Sequence, residues 1–215
     1  MENRVKLTIN GKDAIYDREG MKTLKDLLDA IENDYTGGGH VITRVAVNEE
    51  ELDEGQEIGL GGFPINDIES LEIETRNRLE LAHEALEDAQ EYLPICSTAL
   101  EQDAALIREG NIRDGLKNAS RTLELVGAFG EVLDGIRSSY RIDFSNVKID
   151  DSNLLDKLLM LNKLADNILN AVRKEEWTEF ADLMEYELSP LLFEWMAIIP
   201  DLIRLLPQEK ETPEV

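Results

Sequence analysis

Val5-Lys6-Leu7-Thr8-Ile9-Asn10-Gly11 alternates apolar and polar residues and then breaks at a turn signal, and short runs of this kind recur up to Thr75. Beyond Thr75 the apolar residues return every three or four positions instead. A period of two suits a pleated strand, and a period between three and four suits a packed helix. The pattern therefore predicts an α+β chain. A small sheet domain is expected over residues 1–75, a helical domain over 76–207 and a flexible tail over 208–215.

Within the first part, Asn10-Gly11 between two alternating runs predicts a two-residue hairpin, because a type I′ turn needs positive φ at both central positions. That register sets Leu7 opposite Ala14 and Val5 opposite Tyr16. Thr23-Leu24-Lys25-Asp26 resembles a capping box, and Leu24, Leu27, Leu28 and Ile31 then form a helical stripe. Gly37-Gly38-Gly39 is expected to end that helix. Val41, Thr43, Val45 and Val47 alternate as a further strand. After a glycine-rich loop, Gly59-Leu60-Gly61-Gly62, a last strand carries Leu71, Ile73 and Thr75.

Four long stripes follow. The first runs from Leu79 through Leu86, Leu93 and Leu100 to Ile107. The second takes in Ile112, Leu116, Ala119, Leu123, Val126, Gly130 and Leu133, with Tyr140 near its end. The third takes in Leu154, Leu158, Leu161, Ala165, Ile168 and Val172, and the fourth runs from Trp177 through Leu188 and Trp195 to Leu202. Alternating threes and fours make the seam of helices crossing at about 20°. Gly110-Asn111, the segment 143–151 and Lys174-Glu175-Glu176 supply the joints, with Asp151 or Ser152 expected as an N-cap. Short joints favour antiparallel neighbours, so an antiparallel four-helix bundle is predicted. Pro94 and Pro190 each fall inside a predicted helix and should kink or divide it.

Charge narrows the partners. With 46 acidic against 22 basic residues the net charge is −24, a field that repels phosphate backbones and anionic lipid head groups. Neither nucleic acid nor a membrane is expected as a partner. Cys96 is the single cysteine, which rules out an intramolecular disulfide and a thiolate cluster. The opening Met1-Glu2-Asn3-Arg4-Val5 has no apolar leader core, and the apolar stretch from Leu188 to Leu206 carries Glu194, Asp201 and Arg204. A cytoplasmic address is expected.

No motif points to a reaction. His40 and His83, the two histidines, lack a spaced ligand partner. The glycine clusters are not followed by Lys-Ser/Thr opening a helix, as a phosphate-binding loop requires. Asp150-Asp151-Ser152-Asn153 lacks the glycine and distal glutamate of a calcium loop. No catalytic residue, metal site or cofactor is expected.

Two family resemblances arise. Arg44 to Leu52, Leu52-Asp53-Glu54-Gly55 and Ile68-Glu69-Ser70-Leu71-Glu72-Ile73 resemble, in their order, the β-grasp domains of ubiquitin-like and sulfur-carrier proteins. The resemblance implies a β-grasp fold over the first third. Those families act through a free terminal Gly-Gly, whereas here Glu74-Thr75-Arg76 leads on into a helix, so transfer by that route is not expected. Asn170-Ala171-Val172-Arg173-Lys174-Glu175-Glu176-Trp177, at a helical joint of an acidic helical protein, resembles the export chaperones of flagellar and type III secretion systems. That resemblance implies chaperone-like binding of another protein.

The last stripe carries the functional expectation. Its apolar residues cover nearly the whole circumference, more than one seam can bury, so either the sheet domain or another helix of the bundle covers the second face or an exposed strip is left for a partner. The expectation is a non-enzymatic adaptor or chaperone that docks a partner helix on an exposed strip of Leu192, Phe193, Trp195, Met196 and Ile199. A homodimer closed through the same helix is the alternative.

Overall fold

At the first turn, Asn10 and Gly11 hold φ of 51° and 73°, and the strands on either side pair Leu7 with Ala14 and Ile9 with Lys12. The hairpin is the one its Asn-Gly dictates. The computed structural model describes residues 6–15, 20–36, 39–52, 62–149 and 152–207. Val5, Tyr16, Gly37, Gly38, Gly59 to Gly61, Asp150, Asp151 and the tail 208–215 lie outside them. The chain divides into two compact units, Met1–Leu81 and Ala82–Val215, and its class is α+β.

The first unit contains β1 (Lys6–Ile9), β2 (Lys12–Ala14), α1 (Leu24–Thr36), β3 (His40–Val47), β4 (Glu50–Glu51) and β5 (Ser70–Asn77). Its mixed sheet has the order β2-β1-β5-β3-β4, with β1 parallel to β5 and the other pairs antiparallel. Inward residues Leu7, Ile9, Val45, Val47, Leu71 and Ile73 pack with Leu24, Leu27 and Ile31 of α1. The expected capping box is present. Asp26 N–H donates to Thr23 Oγ1 at 3.3 Å and Thr23 N–H returns to Asp26 Oδ2 at 3.0 Å. Backbone donors at Lys22 and then Thr23 hold the Asp26 carboxyl below its ordinary range. The alternation expected over β3 breaks at Thr43, where the pairing with β5 slips between Ile42 and Arg44. Past that irregularity it is Ile42 that packs on the core, and Thr43 is exposed.

The second unit contains most of α2 (Arg78–Arg108), then α3 (Ile112–Tyr140), the two-residue strands β6 (Lys148–Ile149) and β7 (Ser152–Asn153), and α4 (Leu154–Arg173). Its last helical stretch runs as α5 (Trp177–Asp182), a π-helical turn (Leu183–Leu188) and α6 (Ser189–Leu205). Asn153, and not the expected Ser152, caps α4, accepting from Asp156 N–H at 2.9 Å. Pro94 is accommodated inside α2. Pro190 does not divide its helix: the wide turn stands directly before it, and Ser189 N–H reaches back five residues to Met184 O. A π-turn there accommodates a residue that cannot continue the ordinary hydrogen-bond ladder. Among the described residues no helix is long and apolar enough to cross a membrane.

Candidate functional site

The five residues expected on an exposed strip do not share one fate. Trp195, Leu192 and Ile199 are each 0% exposed, whereas Phe193 is 51% exposed and Met196 is half-buried. The expected strip is corrected at three of its five positions. The reason is how many neighbours this helix has. Ser189 Oγ meets Ser97 Oγ of α2 at 2.7 Å, Trp195 meets Phe129 of α3 edge-on at 5.4 Å, and Glu194 pairs with Lys157 of α4. Arg108 of α2 also pairs with Asp182 and Glu185 and lies over the Tyr186 ring. A helix touched by three others needs apolar residues around most of its surface.

An apolar surface left open lies elsewhere, between α3 and α4. The residues buried on α3 are Gly115, Ala119, Thr122, Val126, Phe129, Leu133 and Ile136, so the seam is rotated from the stripe that held Leu116, Leu123 and Gly130. On α4 the buried set includes Leu164 and Ala171, while Ala165 and Val172 of the expected stripe are exposed. Each helix thus carries a wider apolar face than its seam uses. The surplus lines a groove of about 310 Å³. Buried Val126, Leu161, Ile168 and Leu188 form its floor. Leu123, Gly127 and Gly130 make one bank, and Asn162, Ala165 and the 52% exposed Leu169 make the other.

The glycines keep this groove open. A Cβ at Gly127 or Gly130 would meet nothing within 4 Å, so packing does not demand their smallness. Gly115 is different, since its Cβ would fall 2.5 Å from Ile107 Cγ1 and 3.1 Å from Asp103 O. Glu131 and Asp134 complete the lining on the α3 side.

Polar chemistry in the helical unit is dispersed. The Asp103 carboxyl is 4% exposed, takes a hydrogen bond from Asn118 through one oxygen and leaves Oδ2 without a partner. Burial pushes its pKa up. Cys96 is buried and its thiol is likewise pushed up, which makes it a poor nucleophile. The Arg108 guanidinium is held firmly protonated by Glu185 and Asp182. Ser189 Oγ donates to Glu101 Oε1 at 2.8 Å, but Ser97 and Ser189 are both buried and serve packing between α2 and α6. A second hollow of about 430 Å³ includes Lys148, Lys157, Glu194 and Asp201 in its lining, a mixture of both charges. Among the described residues no three His, Cys, Asp or Glu side chains lie close enough together to hold a metal ion.

The helical part, residues 84–198, matches the family model described as a domain of unknown function (DUF8042). That match covers more than half of the chain, which therefore belongs to this family. Residues 5–77 are similar to the model described as the TP0873 N-terminal domain. No curated protein and no solved structure matches the chain.

Proposed function

We propose that this member of the DUF8042 family is a non-enzymatic protein-binding adaptor or chaperone, which docks a helical segment of another protein in the groove between α3 and α4. The observation that carries this reading is the groove itself: an apolar floor with Leu169 beside it half-exposed to water. Leaving such surface open costs free energy unless something covers it. A groove with a helix on either side suits a third helix laid along it. Dispersed polar groups, with none converging on a cavity, favour binding over catalysis. A cytoplasmic setting fits a chain with a single cysteine. The strand order β2-β1-β5-β3-β4, with a parallel β1–β5 pair and α1 on one face, supports a β-grasp reading of the first unit. The helical unit is read as a four-helix bundle whose fourth member is the α5-to-α6 stretch.

The test is photo-crosslinking in the native cell from a benzophenone side chain at position 169, with position 95 as the control. Ile95 is also exposed but lies on α2. Adducts at 169 that map to one helical segment of one protein support the reading. Adducts to other copies of this chain would make it a homodimer instead. Adducts only from a probe at Phe193 would return the site to the last helix.

A further inference from the structure

We infer that the groove selects a cationic amphipathic helix of about three turns, an inference that rests on the docking reading above. Length comes first. The α3 bank runs from Leu123 to Asp134, roughly 16 Å at the helical rise, and three turns of a partner span the same distance. Depth comes next. With glycine at 127 and 130 and alanine at 165, the middle of each bank offers little side chain between Leu123 and Asp134 on one side and between Asn162 and Leu169 on the other. The partner must therefore bring large aliphatic or aromatic residues at i, i+3 or i+4, and i+7 to reach the floor.

Charge then fixes the partner's flanks. Glu131 lines the α3 bank and enters no ion pair among the described residues. Asp134 beside it is only partly offset by Arg137, 3.2 Å away on the surface. On α4, Asp166 is exposed and sits one turn from both Asn162 and Leu169. The acid of the groove thus stands on the α3 bank, with Asp166 just outside the lining on the α4 side, on a chain whose net charge is −24. A second copy would set two such fields against each other, whereas lysines or arginines flanking an apolar stripe meet them with opposite sign.

The probes are two synthetic helical peptides with the same leucine stripe, one flanked by lysines and one by glutamates, followed by fluorescence anisotropy on the full chain. At low ionic strength the lysine peptide should bind at least about tenfold more tightly, since several rim pairs each contribute modestly and like charges repel. The gap should narrow as salt is added. Gly130→Leu, which fills the groove, should weaken the lysine peptide about tenfold. Leu169→Lys, an exposed change that leaves the core intact, should weaken it too. If both peptides bind wild type equally and Gly130→Leu blocks both, docking stands and the charge inference is overturned. If neither peptide binds, the docking reading itself is overturned. If the lysine peptide binds wild type, Gly130→Leu and Leu169→Lys alike, it adheres to the acidic surface at large, and both are overturned.

Discussion

Replacing Gly127 and Gly130 with alanine should make the protein more stable. Both lie well inside α3, where glycine is less favourable than alanine by about 1 kcal/mol because it loses more backbone freedom on folding. The added methyl group meets no atom within 4 Å at either position, so no steric term opposes the gain. Each single change should therefore add about 1 kcal/mol and the pair about 2 kcal/mol. In urea, with an m-value near 2 kcal/mol/M, the midpoint should rise by about 0.5 M for each and about 1 M for the pair. Both tryptophans, Trp177 and Trp195, belong to the helical unit, so their fluorescence follows this unit alone. Gly115→Ala is the internal control. Its methyl group would collide with Ile107, and a loss of about 1–3 kcal/mol is expected from overpacking. If Gly127→Ala and Gly130→Ala also lower the midpoint, these glycines serve the fold and are not there to hold a groove open.

Trp195→Ala should cost about 3–5 kcal/mol, the usual loss for truncating an enclosed aromatic; a midpoint unchanged from wild type would show that the side chain is not enclosed. Asp103→Asn should flatten the pH dependence of stability. The Asp103 carboxyl titrates higher folded than unfolded, so its penalty is absent below about pH 3.9, grows as pH rises through the folded pKa and persists above it. Urea midpoints measured from acid to neutral pH should show the wild type losing more than the variant across that window, and parallel curves would refute the assignment. Asn10→Ala removes bonds of 2.8 Å from Thr75 N–H and 2.9 Å to Thr75 Oγ1 and puts alanine at positive φ. It should cost about 1–3 kcal/mol, read as lost protection of the Thr75 amide to hydrogen exchange. Unchanged protection would contradict that role.

Much of the fold was legible because local chemistry decided it. Asn10-Gly11 permits one turn, Thr23 and Asp26 cap each other, and the β5 alternation of Leu71, Ile73 and Thr75 leaves one buried face. What periodicity left undecided was which edge of a broad apolar face would become the seam. On α3 the sequence offers both Leu123 and Thr122, and both Gly130 and Phe129; on α4 it offers both Ala165 and Leu164. Packing chose the second of each pair, since Phe129 meets Trp195 and Leu164 is the larger residue. The groove is made of the residues not chosen. One signal for it was present in the sequence: two glycines three residues apart inside a long helix. The last helix misled for a related reason, because an all-round apolar helix looks the same whether its second face meets a partner or its own neighbours. Asn153 takes the cap in place of Ser152 because it reaches Asp156 N–H from the position directly before α4.

Amide chemical-shift mapping of the lysine-flanked peptide on the full chain bears most directly on where this protein binds. The largest shifts should cluster at Gly127, Gly130, Ala165 and Leu169, with Phe193 and Met196 unmoved. Largest shifts at Phe193 and Met196, or small shifts spread evenly over the acidic surface, would contradict a docking groove between α3 and α4.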